Sequence, residues 1–478
     1  MIVFKFGGTS VEDAAAIRRA ATIVAGRRSP NAVIVVSAMA GMTNALVEAA
    51  ADARAGRLTR ALEILDRMIG RHRSAADDLA GGHLRQALDA RLDEARLEAA
   101  ETLRSLAEML EGDPSAGSEL PTAARLTDSL LAQGEILSSH LTTCGFSAAG
   151  LPTRFLDIRP MMRTNADFGR AAVDLGVAGP RLAAGFRPEP GDDRIVVTQG
   201  FIGSTIGGAT TTIGRGGSDL TASILGAALD ATEVQIWTDV DGIMTTDPRV
   251  VPGALHIEVI SFAEAAELAY FGAKVLHPST LAPAMTKNIP VRVLNSRRPD
   301  GVGTAIVRST PGAKGPITAI AFKRGITVLN VTSDRMLMAH GFLARLFEVF
   351  SRHETAVDMV TTSEVSVSMT LDDTRHLPVI RNELAPLGDV SVETDQAIVC
   401  LVGEGLRSSP GLVPRIFSAV QSLPVSMISH GASAINLSFV TPGSRVEEAV
   451  RALHAEFWGA AVPQTAPGQL SSNAKKIR

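Results

Sequence analysis

The chain has 478 residues, a formal net charge of −4, 45% apolar residues and 20% charged residues, a composition that predicts a globular protein of two to four domains. With no excess of basic residues and only 4% aromatics, it offers neither the positive field nor the stacking platforms that nucleic acids require, and no nucleic-acid partner is expected. Cys144 and Cys400 predict two buried apolar thiols rather than a disulfide framework or a zinc site. No apolar run approaches the roughly 18 residues of a membrane span, and no basic segment leads into an apolar stretch at the start, so a cytoplasmic chain without membrane contact is expected.

The chain opens MIVFKFGGTS, a short strand that runs into paired glycines. Further β-branched runs follow in AVIVVSAMAG, RIVVTQGFIG, VQIWTDV and IPVRVLN, each ending in small or polar residues and separated by helical stretches. This alternation predicts an α/β domain over 1–307, with a mostly parallel sheet sandwiched by helices and ligands gathered at the carboxyl ends of the strands. Between about 45 and 145, stretches such as RLTRALEILDRMIGRH keep apolar residues at helical spacing and are expected as a helical insertion. RPEPGDD at 187–193 reads as a surface turn and RSTPGAKGP at 308–316 as a domain boundary.

Beyond that boundary a βαββαβ pattern occurs twice. The first copy runs from ITVLNVTS to DVSVETD; the second starts at QAIVCLVGEG and stops after RVEEAVRALHAEFW, one strand short. The orphan strand ITAIAFKRG before the first copy supplies the missing one, so a unit at 333–395 is expected to be inserted within a unit made of 317–332 and 396–460. Open edges in such small sheets invite pairing between copies or subunits. Residues 461–478 have the composition of a disordered tail.

No Gly-Lys dipeptide occurs, which excludes the P-loop, and no GxGxxG follows a strand. Three glycine-rich strand ends are present instead, KFGGTS, SAMAGMTN and TIGRGGSD, and three in one α/β domain point to a phosphorylated ligand. Lys5, which interrupts an otherwise apolar strand, and Lys274 in FGAKVLHP are candidates for the oxygens of a transferring phosphoryl group. Arg215 has the planar fork suited to a carboxylate, and Asp219 could position a lysine or attract an ammonium. Glu135 interrupts an apolar helix face and reads equally well as a surface residue. The segment WTDVDGIMTTDPR suits a nucleotide base and ribose. No metal site built purely from protein ligands is visible; Mg²⁺ carried by the phosphates of ATP is expected.

Together, KFGGTSV, SAMAGMTN, MRTNADFGRA, QGFIG, TTTIGRGGSD, IWTDVDGIMTTDPR and FGAKVLHP resemble the aspartokinases of the amino acid kinase family, in that family's order and over almost the whole chain. The resemblance implies transfer of the γ-phosphoryl group of ATP to the side-chain carboxylate of L-aspartate, giving 4-phospho-L-aspartate, the first step of the aspartate-family amino acid pathway. It implies that Lys5 binds phosphate with Gly7 and Gly8 beneath, and that Ser37 and Thr43 lie near aspartate and the transferring group. It further implies that Glu135 meets the substrate ammonium and Arg215 clamps its α-carboxylate, with Ser218 on the same loop and Asp219 organising the catalytic lysine. Thr238, Asp239, Met244, Arg249 and Lys274 fall on nucleotide-binding positions. Met244 stands where many relatives carry Tyr, and a thioether can still cover an adenine face.

The two repeats resemble paired ACT domains, most similar to those of the lysine-sensitive, single-function enzymes. MLMAHGFLARLF and VDMVTTSEVSVS correspond to the effector pocket. This implies an L-lysine site at Met336, Gly341, Phe342, Leu343, Val357, Asp358, Thr362, Ser363 and Glu364, with Asp358 and Glu364 suited to a cationic group. Ala339 and Ala356 stand where relatives carry serines. Each lost hydroxyl is worth about 1 kcal/mol where it made a hydrogen bond, so weakened or retuned sensitivity is expected. A homodimer through the ACT domains, or a tetramer as a dimer of dimers, is implied. Three other readings stand beside this one: a lysine-insensitive aspartate kinase serving a specialised pathway, a kinase of a related acid such as glutamate or an acylated derivative, and a non-catalytic amino-acid sensor. The Glu135 and Arg215 pair argues against an N-acylated substrate, and the intact phosphate lysines and GRGGSD argue against the sensor.

Overall fold

Strand β1 (Ile2–Phe6) puts Phe4 and Phe6 on one face and Val3 and Lys5 on the other, so the two-residue period alone separates the core rings from the lone cation. Phe4, Phe6 and Trp237 are fully buried, and Phe6 stacks on Trp237 with ring centroids 6.2 Å apart. Each such ring contributes roughly 2 kcal/mol through burial.

The computed structural model describes residues 1–27, 31–109, 119–189, 191–272, 278–310, 315–336 and 340–459. The chain divides into two units, the first made of Met1–Ile243, Ile257–Tyr270 and Lys274–Gly312, the second of Met244–His256, Phe271–Ala273 and Ala313–Arg478.

In the first unit, β1 is followed by α1 (Ala14–Arg27), β2 (Val33–Val36), α2 (Met42–Arg54), α3 (Leu58–Leu79), α4 (Gly82–Glu108), α5 (Glu119–Ala148), β3 (Thr153–Phe155), α6 (Leu175–Phe186), β4 (Ile195–Gln199), β5 (Ile202–Ser204), β6 (Thr210–Thr212), α7 (Gly217–Ala228) and β7 (Glu233–Thr238). The chain leaves this unit at β8 (Ile243–Met244) and returns at β9 (His256–Ile257), then adds β10 (Val259–Ser261), α8 (Phe262–Tyr270), α9 (Pro278–Lys287), β11 (Val291–Asn295) and β12 (Thr304–Val307). Eight strands form one sheet in the order β10-β12-β11-β7-β1-β2-β4-β3, parallel at every pairing except β11 with β12. The mostly parallel α/β sheet expected from the sequence is therefore present. Helices α2 to α5, expected as an insertion, share one core with that sheet, because Leu46, Leu65, Leu103, Leu130 and Leu141 bury in the same cluster as Phe4, Phe6 and Ile34.

In the second unit, β13 (Ala319–Thr332), α10 (Phe342–Arg352), β14 (Val360–Thr362), β15 (Ser366–Leu371), α11 (Leu377–Leu384), β16 (Asp389–Val402), α12 (Leu412–Ala419), β17 (Met427–His430), β18 (Asn436–Pro442) and α13 (Val446–Trp458) follow in order. The sheet runs β14-β15-β13-β16-β18-β17. Four expected strands are in fact two, since ITAIAFKRG continues into ITVLNVTS as β13 and DVSVETD into QAIVCLV as β16. The reason is local: Gly325 at φ 71° and Asp395 at φ 54° absorb the irregularity as left-handed residues, and the ladder shifts register there instead of breaking. Ala319–Arg324 pair with Ala397–Val402, while Val328–Thr332 pair with both β15 and the start of β16. Helices α10 and α11 bury against Leu329, Val367 and Met369; α12 and α13 bury against Ile320, Val399 and Phe439.

Segment Met244–His256 belongs to this second unit. Val250 and Val251 are part of its core, the Thr245 carbonyl accepts from Ile320 N at 2.7 Å, and the Thr245 hydroxyl lies 3.0 Å from His454 Nε2. Cys144 and Cys400 are buried, as expected. Among the described residues no helix is long and apolar enough to cross a membrane. The expected tail at 461–478 lies outside the described residues.

Candidate active site

At the carboxyl ends of β1 and β2, a cavity of about 750 Å³ is lined by Lys5, Gly8, Ser37, Thr43, Glu135, Arg215, Ser218 and Asp219 among others. Lys5 reaches it because α7 covers its face of β1: Lys5 Nζ is 2.7 Å from Asp219 Oδ1, in the first turn of α7. Both side chains are largely buried, at 10% and 14% exposure, and an unpaired ammonium there would be strongly destabilising.

Two helix starts open on the same cavity. Helix α2 begins after Gly41 (φ 82°) and α7 after Gly216 (φ 73°), and neither start is capped by a side chain. Their first-turn N–H groups have no partner within the helix and carry the positive end of its dipole, which favours an anion. The close approach rests on glycine. A Cβ on Gly200 would lie 2.6 Å from Ser218 Cβ, and one on Gly134 would lie 2.9 Å from Ala38 Cβ. Without them α7 and α5 could not reach the strand ends.

Glu135 is 3% exposed, which discards the surface reading. Its Oε1 accepts from Ala38 N at 3.2 Å while Oε2 has no partner, and burial pushes its carboxyl up to about 8. A buried carboxylate oxygen that lacks a donor is a seat for a cationic group. Arg215 lies exposed at the cavity, on the loop between β6 and α7.

Asp128 was not singled out in the sequence. It sits in RLTDSLLAQGEIL seven residues before Glu135, two helical turns away on the same face of α5; that spacing was the available signal. It is 1% exposed and lines the cavity with Thr127, Gly169, Phe201 and Thr212, which were also missed. Burial pushes its carboxyl up, opposed by hydrogen bonds from Gly169 and Thr212.

The nucleotide candidates fall in both units. Gly7 N donates to the Trp237 carbonyl at 3.0 Å, and a Cβ on Gly7 would lie 3.5 Å from Lys5 Nζ. Thr238 and Asp239 follow at the end of β7, with the Thr238 hydroxyl 3.2 Å from Asp239 Oδ1. Met244 and Arg249 belong to the second unit, where Arg249 pairs with Asp247 at 2.6 Å. Lys274 lies outside the described residues.

Of the effector candidates, Phe342 is buried in the core of the second unit, and Met336 and Val357 pack against that core. Gly341 (φ 76°) caps the start of α10, Leu343, Thr362, Ser363 and Glu364 are exposed, and the Ser363 hydroxyl is 2.7 Å from that of Ser366. The Asp358 side chain is 3% exposed and 3.3 Å from Lys323 Nζ, which also reaches Asp372 at 2.7 Å. Burial works against the Lys323 ammonium, and the two carboxylates more than offset it, raising its pKa. Sequence reasoning missed Lys323. Ala356 is exposed; Ala339 lies outside the described residues.

A mostly parallel α/β sheet whose strand ends gather a lysine, two uncapped helix starts and a buried carboxyl group is arranged to receive a small ligand that carries both anionic and cationic groups. Residues 1–295 match the model of the amino acid kinase family, and residues 399–457 match an ACT domain. The chain belongs to the amino acid kinase family. It is 40% identical to lysine-sensitive aspartokinase 3 of Escherichia coli (strain K12), an alignment covering 96% of this chain and 99% of that protein. It is 36% identical to chloroplastic aspartokinase 2 of Arabidopsis thaliana, over 95% of this chain and 84% of that one. Among solved structures it is similar to E. coli aspartokinase III in complex with aspartate and ADP in the R-state, with TM-score 0.82, 38% identity and coverage of 96% and 100%. The same enzyme with lysine and aspartate in the T-state gives TM-score 0.76, 37% identity and coverage of 96% and 99%.

Proposed function

We propose that this chain is an aspartate kinase, which transfers the γ-phosphoryl group of ATP to the side-chain carboxylate of L-aspartate and forms the acyl phosphate 4-phospho-L-aspartate. The observation that carries the reading is the unpartnered Glu135 Oε2, buried in the same cavity as Lys5 and Arg215. A free amino acid offers an ammonium for the first, a reacting carboxylate near the second and an α-carboxylate for the third.

In this reading Lys5 stabilises charge on the phosphoryl oxygens, held in place by Asp219, and the starts of α2 and α7, with Gly8, Ser37, Thr43 and Ser218, receive the carboxylate and phosphate oxygens. Gly7, Thr238, Asp239, Met244, Arg249 and Lys274 serve the nucleotide. Mg²⁺ fits as a cation held through ATP phosphates. Of the carboxylates lining the cavity, Asp128 is occupied by three hydrogen bonds, Glu135 favours its protonated form and Asp219 pairs with Lys5, so the nucleotide supplies the hard oxygen ligands. When bound, the ion neutralises phosphate charge.

The domain layout in this reading is a catalytic domain at 1–307, one ACT unit at 333–395, and a second at 317–332 plus 396–460. L-lysine acts at the pocket around Asp358 and Glu364, and the ACT sheets join two copies into a homodimer or two dimers into a tetramer. The enzyme works in the cytoplasm. The similarity to a lysine-sensitive aspartokinase supports the choice of effector.

An enzyme-linked assay of ADP release with Mg²⁺, ATP and a panel of aspartate, glutamate and N-acetylaspartate tests the reading. Turnover with aspartate alone is expected; no turnover with aspartate overturns it. Lysine titrated against that activity should inhibit, and a flat response to lysine, threonine and methionine removes the regulatory part.

A further inference from the structure

The structure assigns Asp128 a role that no motif announced. Asp128 Oδ2 accepts from Gly169 N at 2.9 Å and from Thr212 N at 2.8 Å, while Oδ1 accepts from the Thr212 hydroxyl at 2.8 Å. One buried carboxylate thus ties helix α5 to two other segments. Thr212 ends β6, three residues before Arg215. Gly169 belongs to the surface on which the Arg215 loop rests, since a Cβ on Gly214 would lie 3.5 Å from the Gly169 carbonyl and 3.6 Å from Arg170 Cα.

We propose that Asp128 is a positioning residue for Arg215: it fixes both the strand that delivers the arginine and the backbone beneath it, and so sets how tightly the enzyme selects a substrate with a free α-carboxylate. The inference rests on the aspartate kinase reading given above. Its chemistry is that of a hub. Hydrogen bonds to a charged acceptor are stronger than neutral ones, and a guanidinium recognises a carboxylate only when its fork is accurately aimed. Asp128 and Glu135 share a face of α5, so a single rigid helix aligns the seat for the ammonium with the loop that meets the α-carboxylate.

Three variants separate positioning from general stability. Asp128→Asn keeps an acceptor for the two N–H groups but loses the charge, Thr212→Val removes only the hydroxyl, and Asp128→Ala leaves the buried Thr212 N–H and the part-buried Gly169 N–H without their acceptor. Steady-state kinetics are measured for aspartate, for L-aspartate 1-amide, which lacks the α-carboxylate charge, and for ATP, with thermal unfolding alongside. In Asp128→Asn and Thr212→Val, KM for aspartate should rise about tenfold while KM for ATP stays within about twofold. The preference for aspartate over its 1-amide should fall by a similar factor, with Asp128→Ala more severe than Asp128→Asn. Folded variants with wild-type aspartate KM and wild-type preference overturn the proposal. So does a set in which none folds, Thr212→Val included, because the carboxylate then serves only the stability of the cavity. A wild-type enzyme that turns over aspartate yet does not discriminate against the 1-amide overturns the role of Arg215 and this inference with it, leaving the kinase reading intact.

Discussion

Lys5 Nζ and Asp219 Oδ1 stand 2.7 Å apart, one on the central strand of the sheet and the other in the first turn of α7. The pair links strand end to helix start, so in the proposed reaction the cation that meets the phosphoryl group would be aimed by the same helix whose amino end faces the anion. Lys5→Ala should lower kcat by about a thousandfold, the scale for removing a preorganised donor from a transition state, and should keep the fold at some cost in stability, because Asp219 loses its partner. Asp219→Asn leaves the lysine buried beside a neutral partner and should lower both kcat and stability, the latter by about 3 kcal/mol. Near-wild-type turnover in Lys5→Ala, measured under saturating substrates, would return that lysine to a structural role.

Glu135 gives the site a pH dependence with two readouts. Burial holds its carboxyl at about 8 against an ordinary 4.5. Between those values the unfolded chain has released this proton and the native protein keeps it, so native stability falls as pH rises through the window. Glu135→Gln carries no such proton. Its thermal midpoint should exceed that of the wild type by a margin that grows from about 4.5 up to about 8 and then levels. Because an ammonium binds the ionised form, wild-type KM for aspartate should fall as pH approaches 8, and Glu135→Gln should lose both the tight binding and the dependence. A KM for aspartate that stays level across this range contradicts the assignment.

Gly200 lets α7 reach the strand ends. A methyl group there would sit 2.6 Å from Ser218 Cβ and 2.8 Å from Ser218 Cα, and backbone atoms cannot step aside as a flexible side chain can. Gly200→Ala should destabilise by about 1–3 kcal/mol and reduce activity further than that loss explains, by displacing Ser218 and Asp219. Gly207→Ala, where the nearest atom is 3.9 Å away, is the neutral control. Equal thermal midpoints and activities for the two variants would refute the packing argument.

His72 places an acid limit on the fold. It is fully buried on α3 with Nδ1 2.8 Å from the Met68 carbonyl and Nε2 unpartnered, and burial lowers its pKa to about 4. Below about 6.5 the unfolded chain takes up a proton that the native one refuses until about 4, so stability is lost as pH falls through that window. His72→Leu should unfold less steeply with acid over the same range, read by thermal midpoints. An unchanged slope would count against the buried neutral imidazole.

Much of this was legible in the sequence, and the exceptions have physical causes. The alternation in IVFKF marked Lys5 as the one cation on an apolar strand, and the structure buries it with Asp219 as its partner. Glu135 was visible but ambiguous, since an isolated carboxylate on an apolar helix face has the same pattern whether it is solvated or buried. Asp128 was marked only by its seven-residue spacing from Glu135, because two of its three hydrogen bonds come from backbone N–H groups of distant segments, which leave no side-chain signature. The segment WTDVDGIMTTDPR reads as one nucleotide loop, while Met244–His256 belongs to the second unit and Val250 and Val251 bury in that unit's core, a partition that only tertiary packing decides. The long strands β13 and β16 were read as four because Gly325 and Asp395 resemble turn residues, and in a paired ladder they become bulges.

The chemical identity of the product tests the central claim most directly. Purified protein is incubated with ATP, Mg²⁺ and L-aspartate in the presence of hydroxylamine, which intercepts an acyl phosphate as a stable hydroxamate, and the product is identified by mass spectrometry and NMR. The account predicts a hydroxamate on the side-chain carboxyl of aspartate, formed in step with ADP and lost in Lys5→Ala. A hydroxamate on the α-carboxyl, or ADP release without any aspartyl hydroxamate, would contradict it.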